Sequence, residues 1–292
     1  MGRYHYLITN DPPYEQVEAR FIPSYQDFYD HPDQYAIEPF QIFGNLYYVG
    51  DKKVTSHLID TGDGLILFDT GYGHTTHMEL DSIRTLGFDP VDIRYIIHSH
   101  GHFDHFGSGN ELRALTGARV CMSAVDTRLL REMPERALIQ WGPRPNDPVC
   151  WPDIELEDGD HIRLGNTDIT CVLSPGHTCG TMTFFFDVTD GEKTLRAGYM
   201  GGVGLLTVYK DFNRKFGLPL NKSQMLAETL EKLKGYHVDI MLGNHPAQNR
   251  TLEKRRWMLD HPGENDFLDP DAWLQFLEAQ EERLKAFREK NY

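Results

Sequence analysis

The sequence predicts an α+β chain in which two β-sheets pack face to face with helices on the outside. Short apolar segments typical of strands occupy residues 40–50, 54–60, 65–69 and 95–98. The second half repeats this style at residues 162–164, 169–173, 181–187 and 194–199. Because each sheet must bury an apolar face, two strand-rich halves joined to helices favour two packed sheets covered by helices.

The first half divides into elements at glycine-rich turns. Residues 40–50 indicate a strand, a turn and a strand, and Gly62-Asp63-Gly64 marks a hairpin turn between the next two strands. A helix is predicted over residues 74–86 and ends at Gly87. After the strand at residues 95–98, the pattern predicts a helix over 109–115, a strand over 119–122 and a helix over 124–133.

Two long loops carry large aromatic side chains. Residues 134–152 are rich in proline and contain Trp141 and Trp151, whereas residues 201–220 open with glycines and contain Phe212 and Phe216. Long loops in compact domains are often functional, so these aromatic residues either line a pocket or anchor the loops. A helix at 223–234, a strand at 238–242 and an amphipathic helix at 271–290 are predicted to complete the chain.

Residues 1–37 differ from the rest of the chain because they are rich in Tyr, Pro and Asp and show no clear hydrophobic period. We interpret them as an N-terminal arm that either covers the core or forms an oligomer contact. The oligomeric state is left open. Residues 38–292 are predicted to form one domain.

Composition narrows the class of partner. The formal net charge is -15, which disfavours nucleic acid, whose binding needs a basic surface. No apolar run of about 18 residues exists, so no membrane span is expected. Residues 1–6 lack an apolar signal core, which favours a cytoplasmic protein, although secretion of a processed form stays open. The cysteines form no C-x-x-C pair and are interpreted as free thiols in a reducing compartment. The expected partner is a small-molecule substrate.

The densest chemical signal follows the strand at residues 95–98. His100, His102, Asp104 and His105 form the pattern H-x-H-x-D-H in a short loop. Imidazole nitrogens and a carboxylate suit zinc or a similar first-row metal, whereas magnesium and calcium prefer oxygen ligands. The alternative is a solvated histidine cluster without metal, but such clusters seldom follow a buried strand directly.

Two further histidines stand just after predicted strands. His177 lies between Gly176 and Gly180, where glycine allows a close backbone approach, and His245 precedes Pro246. Each histidine alone is more often structural than a ligand. Together with the H-x-H-x-D-H cluster, both are predicted to be metal ligands.

The H-x-H-x-D-H motif after a strand resembles that of the metallo-β-lactamase superfamily, and the resemblance covers about residues 38–290. It implies an αββα sandwich with two metal sites, and hence two zinc ions per chain, with iron or manganese as alternatives. It also implies a role for Asp69 in orienting a ligand histidine, a function that metal sites generally require. His98, which precedes the motif, is expected either to support a ligand or to be structural. The implied ligands are His100, His102 and His177 for the first metal, and Asp104, His105 and His245 for the second.

One departure narrows the resemblance within the superfamily. Many of its hydrolases, including glyoxalase II and acyl-homoserine lactonases, carry a metal-bridging aspartate after the strand that corresponds to residues 194–199. Here that position reads Gly198-Tyr199-Met200-Gly201-Gly202, without a carboxylate. The chain is therefore most similar to the β-lactamase subclass with a three-histidine first site and an Asp-His-His second site. Residues 39–50 and 265–270 also resemble that subclass, but its substrate-binding serines are not evident at residues 201–204.

The function predicted from these features is metal-dependent hydrolysis. Two metals of this kind can generate a metal-bound hydroxide that attacks a carbonyl, and Asp104 is the expected catalytic residue that orients it or relays its proton. Tyr199 and Tyr209 are candidate oxyanion donors, whereas Cys179 is interpreted as a packing residue. The leading substrate is a cyclic amide. The alternatives are a lactonase or thioesterase, an iron-dependent redox relative, or a non-catalytic metal-binding protein.

Overall fold

The computed structural model describes residues 14–292, which form two β-sheets packed between layers of helices. The predicted α+β sandwich is therefore confirmed. The first sheet contains seven strands in chain order: β1 (Phe40–Phe43), β2 (Leu46–Tyr48), β3 (His57–Asp60), β4 (Leu65–Phe68), β5 (Ile93–Ile97), β6 (Arg119–Ser123) and β7 (Ile154–Leu156).

The first sheet changes character at β4. Strands β1 to β4 pair antiparallel through short connections, whereas β4 to β7 pair parallel through helical crossovers. The turn between β3 and β4 uses Gly62 and Gly64 at φ values of 81° and 130°, which confirms the predicted hairpin turn. The parallel arrangement places the carboxyl ends of β4 and β5 at one edge of the sheet.

The second sheet has the order β12-β11-β10-β9-β8. Its strands are β8 (His161–Leu164), β9 (Thr167–Leu173), β10 (Met182–Thr189), β11 (Thr194–Met200) and β12 (Ile240–Gly243). Pairing is antiparallel except between β11 and β12, where Met200 lies opposite Gly243. The carboxyl ends of β11 and β12 therefore also share one edge.

Strand β4 shows how the layers are held together. Leu65 and Leu67 join the apolar cluster under the helices, whereas Ile66 and Phe68 join the cluster between the two sheets. This alternation follows from the two-residue period of a strand. The Phe68 ring stacks on Phe186 of the other sheet with centroids 5.2 Å apart. Both faces of the first sheet are thus buried, as a central layer requires.

Ten α-helices occur among the described residues. They are α1 (Tyr14–Asp30), α2 (Thr76–Thr85), α3 (Phe103–Phe106), α4 (Gly109–Thr116), α5 (Ala124–Glu132), α6 (Lys210–Lys215), α7 (Lys222–Leu233), α8 (Pro246–Asn249), α9 (Thr251–Asp260) and α10 (Ala272–Asn291). Helix α4 ends where Gly117 adopts φ 72°, the left-handed conformation that glycine tolerates. None of the helices in residues 14–292 is long and apolar enough to cross a lipid bilayer.

The predicted helices and strands agree with the structure to within a few residues, but five helices and one strand were not predicted: α1, α3, α6, α8, α9 and β7. Helix α6 lies within the segment 201–220 that was predicted as a long loop. Helix α1 contains Pro23, which disfavours a helix interior, so packing against the core supplies stabilisation that the local sequence lacks. Phe28 of α1 is completely buried in the core. The arm assignment for residues 1–37 stays a prediction, and residues 1–13 lie outside the described residues. All four cysteines are buried free thiols.

Candidate metal centre

All of the predicted ligands follow the carboxyl ends of strands. The H-x-H-x-D-H loop leaves β5, His177 lies between β9 and β10, and His245 follows β12. His245 is extended, at φ -129° and ψ 143°, as expected for a residue that precedes proline. The two sheets meet at this edge, so residues from both halves of the chain come together there.

The first group of side chains contains His100, His102 and His177. His100 Nε2 lies 2.9 Å from His102 Nδ1, which lies 3.1 Å from His177 Nε2. One nitrogen from each ring therefore faces a common point, and these atoms all lie within 4.8 Å of one another. His100 and His102 are buried, whereas His177 is partly buried.

The second group contains Asp104, His105 and His245. Asp104 Oδ2 lies 3.4 Å from His105 Nε2 and 3.6 Å from His245 Nε2. The two groups adjoin, because ligand atoms of His100, Asp104 and His105 also lie within 4.8 Å of one another. The structure therefore brings together all six residues predicted as ligands.

Hydrogen bonds on the far side of three rings fix which nitrogen is free. His177 Nδ1 is 2.8 Å from the Gly204 carbonyl oxygen, His245 Nδ1 is 2.8 Å from the Lys53 carbonyl oxygen, and His105 Nδ1 is 2.8 Å from Asp69 Oδ2. Each partner is an acceptor, so Nδ1 carries the proton and donates. In the neutral form of each ring, Nε2 then carries a lone pair directed at the centre, as in histidines that ligate metals.

Electrostatics at the first group also favour lone pairs. Burial, followed by the neighbouring histidines, holds the pKa of His100 and His102 well below the ordinary value, and burial lowers that of His177 to about 3. Neutral imidazoles pointing lone pairs at one another at about 3 Å are unfavourable unless a cation lies between them. The donor set therefore fits a first-row metal such as zinc.

The second group is richer in negative charge. Burial opposes a positive charge on His105, but Asp104 and Asp69 together raise its pKa to about 10. Burial also opposes ionisation of Asp104, yet His105, His245 and His102 keep its pKa well below the usual range. This environment stabilises a cation at the Asp104 oxygens.

Asp69 has a strained backbone conformation, which hydrogen bonds to its carboxylate stabilise. It follows β4 at φ 51°, a conformation that non-glycine residues rarely adopt. Its carboxylate accepts hydrogen bonds from Ser99 N, Ser99 Oγ, His105 Nδ1 and Tyr199 OH at 2.6–2.8 Å. Asp69 therefore orients His105, as the sequence analysis expected from the family resemblance.

Asp126, at the start of α5, was missed by the sequence analysis. Its carboxylate accepts from Gly101 N, between two histidines of the first group, and from Thr178 Oγ1 and Gly180 N, which follow the third histidine. These bonds, at 2.7–2.9 Å, tie the two loops of the first group together. The sequence signal was ambiguous, because Ser123-x-x-Asp126 also matches a helix-capping pattern, and Ser123 does cap α5.

A second missed residue is Lys222 of α7. Although it is almost completely buried, its Nζ donates to the carbonyl oxygens of His177 and Thr207 at 2.7 and 2.8 Å. Burial lowers the pKa of Lys222 to about 8. Thr207 Oγ1 donates to the same His177 carbonyl through a short bond. These contacts hold the backbone that presents His177.

The other residues singled out from the sequence take supporting positions. Tyr199 is completely buried and its hydroxyl donates to Asp69, so it is not placed as an oxyanion donor. Tyr209 is also buried, against Phe287. His98 is buried beneath the site, which agrees with the supporting or structural role expected for it. Cys179 is buried and burial raises its thiol pKa, which supports a packing role.

The long loops contribute unequally to the surroundings of the centre. Phe212 lines a cavity of about 20 Å³ beside His102, together with Leu130 and Lys222. Phe216 packs against Phe212 with ring centroids 4.6 Å apart. Trp141 lies behind Phe212 at 6.4 Å, whereas Trp151 is on the surface and 36% exposed. Only Phe212 of these four is thus placed beside a predicted ligand.

Helix α1 borders the site with tyrosines. Burial and then the charge of Asp104 raise the pKa of Tyr25 to about 12, and the same two causes raise that of Tyr29. Tyr29 OH donates to the Trp141 carbonyl oxygen at 3.2 Å. At the other end of the helix, the Tyr14 ring packs 5.7 Å from that of Tyr209. Helix α1 therefore spans from the first long loop to the second.

Comparison with known proteins identifies the domain. A family profile described as "Metallo-beta-lactamase superfamily" matches residues 49–190. Residues 49–190 therefore carry a metallo-beta-lactamase superfamily domain. The family resemblance and fold inferred from the H-x-H-x-D-H motif are thus confirmed, and the His/Asp cluster agrees with a family whose members bind metal ions.

Solved structures of the metallo-beta-lactamase fold match almost the whole described chain. A subclass B3 metallo-beta-lactamase of Bradyrhizobium japonicum is 28% identical with a TM-score of 0.77, covering 88% of this chain and 96% of that one. A metallo-beta-lactamase from Legionella gormanii is 27% identical with a TM-score of 0.78, covering 88% and 97%. The sandwich and its layers are thus those of these hydrolases.

Curated sequence relatives point to a second activity within the superfamily. A hydroxyacylglutathione hydrolase of Cereibacter sphaeroides is 28% identical over 139 residues, which is 46% of this chain and 47% of that protein. The chain spans about half the length of this relative. The activities in the names of these relatives and solved structures describe those proteins.

Proposed function

We propose that this chain is a dinuclear metal hydrolase that acts on a carbonyl compound. The first metal would be held by His100, His102 and His177, and the second by Asp104, His105 and His245. The observation that supports the proposal is that one ligand atom from each residue points towards a common centre. In three of the histidine rings, the opposite nitrogen donates to an acceptor. Zinc suits this nitrogen-rich set best, and two ions per chain are expected.

When bound, two such ions supply an activated water and polarise the substrate carbonyl. The chain contributes orientation and proton handling. Asp104 stays ionised, because nearby histidines lower its pKa, so its oxygen can accept a hydrogen bond from the attacking water and orient it. The same low pKa means that Asp104 would relay the released proton and not keep it. Asp69 and Asp126 keep the histidines in place, and the buried site limits access of bulk water.

The glycines after β11 bear on the substrate. A Cβ on Gly201 would lie 1.9 Å from the Met182 carbonyl oxygen, and one on Gly202 would lie 2.7 Å from the His177 ring. This backbone therefore has no room for a side chain where other members of the superfamily carry a bridging aspartate. The lack of that carboxylate, and the solved metallo-beta-lactamases that share the fold, favour a cyclic amide as the leading substrate class.

The loop that would bind an anionic substrate is poorly equipped for it. Lys210 Nζ lies 3.9 Å from the centroid of the Tyr292 ring, and Arg214 pairs with Asp211 on the surface. Glycines 201, 202 and 204 offer no hydroxyl, and Lys222 is committed to backbone carbonyls. Because loss of a positioning contact can cost about 10²-fold in rate, we expect slow turnover of β-lactam antibiotics.

A thioesterase or lactonase is the second candidate. The hydroxyacylglutathione hydrolase relatives, 28% identical over 139 residues and 33% identical over 91 residues, favour it. The missing bridging aspartate counts against this candidate. In this chain both activities would use the same six proposed ligands, so the two candidates differ here in substrate.

One experiment tests the proposal and separates the candidates. The zinc-loaded chain is assayed on nitrocefin, a lactone panel and a thioester panel, beside His177→Ala and the control His237→Ala, whose side chain is 72% exposed. We expect hydrolysis by the native chain and the control, and its loss in His177→Ala. Turnover of thioesters alone would favour the second candidate. No turnover of any substrate by protein that holds two zinc ions per chain would refute the hydrolase.

A further inference from the structure

A second polar cavity lies beside the metal centre and shares none of its proposed ligands. It has a volume of about 10 Å³, and its polar lining consists of Asp51, Ser56, Thr70, Thr75 and Glu79. The rest of the lining is Val49, Gly50, Val54, Gly71 and Met78. A space of this size holds about one water-sized occupant. Apart from the weakly coordinating thioether of Met78, the side-chain donors are all oxygens. The cavity therefore offers a different chemistry from that of the histidine cluster.

Glu79 makes the cavity unusual. The residue is 6% exposed, on the buried face of α2, and neither carboxyl oxygen has a hydrogen-bond partner of acceptable geometry among the described residues. Burial raises its pKa to about 8, and the charge of Asp51 adds to that rise while the nearby Ser56 opposes it. Unpaired buried carboxylates are costly, so native proteins normally provide a partner.

Asp51 presents a second carboxylate to the same space. It is also 6% exposed. A tight turn holds it, because Asp51 Oδ1 accepts from Lys53 N at 2.6 Å and Val54 N at 2.9 Å, while Tyr48 OH donates to the Asp51 carbonyl oxygen. Both carboxylate bonds go to Oδ1, which leaves Oδ2 as the oxygen available to the cavity.

We propose that this cavity binds one calcium ion between the carboxylates of Glu79 and Asp51. Two carboxylates and neighbouring hydroxyls form an oxygen-only set, which suits a hard cation and not zinc. Calcium binds protein oxygens directly in flexible geometry, whereas magnesium retains several waters and needs more space than one water-sized occupant. A cation here would neutralise two buried acidic groups at once. Because Thr70 lines the cavity and follows Asp69, the ion would also stabilise the end of β4.

The test uses the full-length chain already loaded with zinc, so that the histidine cluster is filled. Calcium chloride is titrated by calorimetry, and terbium is titrated separately with excitation of tyrosine, since Tyr48 contacts Asp51. The variants are Glu79→Gln, Asp51→Asn and the control Asp81→Asn, which lies on the same helix with its side chain 74% exposed. Zinc content and circular dichroism check that each variant is folded.

We expect one calcium ion per chain, with a dissociation constant in the range of about 10⁻⁴–10⁻³ M, as in weak protein sites. At about ten times that constant, calcium should raise the unfolding temperature by about 3 °C. Asp81→Asn should behave like the native chain. Glu79→Gln and Asp51→Asn should each lose the calcium response and the tyrosine-sensitised terbium emission.

Two results would overturn the calcium site. The first is the absence of saturable calcium binding by the native, zinc-loaded chain at millimolar concentrations, which would leave a shared proton or a water as the occupant. The second is equal binding by the native chain and by whichever of the two carboxylate variants folds. Neither outcome depends on hydrolase activity, so the site and the proposed function stand or fall separately.

Discussion

Asp69 and Asp126 allow the two proposed metal positions to be weakened separately. Asp69 accepts directly from His105, a proposed ligand of the second metal. Asp126 ties Gly101 to Thr178 and Gly180, the neighbours of the proposed ligands of the first metal. Changing either residue to Asn preserves its volume, removes a charge and turns an acceptor into a donor. The two variants are therefore a matched pair with different targets.

The expected loss of zinc affinity follows from the number of hydrogen bonds that each carboxylate accepts. In Asp69→Asn, an NH2 group replaces one of the two carboxylate oxygens. This NH2 group must face either Ser99 N or the three groups that donate to Oδ2. Loss of such an orienting group weakens metal binding by about 10–100-fold, equivalent to about 1.4–2.8 kcal/mol. A smaller effect on the first metal is expected, because Ser99 also lies 3.1 Å from His100 Nδ1.

The assay measures zinc affinity in competition with a chromophoric chelator. In a His102→Ala background, which removes the first position, Asp69→Asn should weaken the remaining zinc by about 10–100-fold and Asp126→Asn should not. In a His245→Ala background the pattern should reverse. If Asp69→Asn leaves zinc affinity unchanged in the His102→Ala background while the protein stays folded, the orienting role of Asp69 is wrong.

Three further predictions concern single changes or substrates. His245→Ala should lower the zinc content to about one per chain and strongly reduce turnover; unchanged zinc and rate, measured by elemental analysis and kinetics, would make His245 structural. Lys254→Met should stabilise the fold by about 3 kcal/mol at pH 7, because burial lowers the pKa of the unpaired Lys254 amine from 10.5 to about 8. The unfolded chain binds more protons between these two values, so native stability rises with pH across that window, and denaturation at about pH 10 should show less than about 1 kcal/mol of gain; an equal gain at both pH values would contradict the cause. Steady-state kinetics on several β-lactams should give kcat/KM far below about 10⁸ M⁻¹s⁻¹, and values near that ceiling would disprove a poorly matched pocket.

The sequence revealed the proposed ligands because most of them lie close together in the chain. Four of the proposed ligands lie within six positions, and the other two follow strands that hydrophobic patterns locate. Asp126 and Lys222 could not be recognised in this way, because their partners are backbone groups distant in the chain. An acidic residue in the first turn of a helix and a lysine on a helix are ordinary surface patterns until tertiary contacts bury them.

Most of the fold was also predictable from local sequence patterns, and helix α1 is an exception. Strands such as β4 are short apolar runs bounded by turn residues, so their period and ends are visible locally. Helix α1 is specified by what it touches: Phe28 is buried in the core and Tyr29 reaches the Trp141 carbonyl oxygen, 112 positions away. Its own sequence, interrupted by Pro23, gives little local indication of a helix.

The long sequence separation between the proposed ligands has a consequence for how the protein matures. His102 meets His177 across 75 positions, and Asn244 beside His245 approaches His105 across 139. These groups cannot converge until both sheets have formed and docked, and long-range pairing of this kind is the slow part of folding. The complete set of six ligands can therefore form only after the two sheets have docked. We expect the chain to acquire its native topology first and to take up zinc last, as a ligand of a finished scaffold.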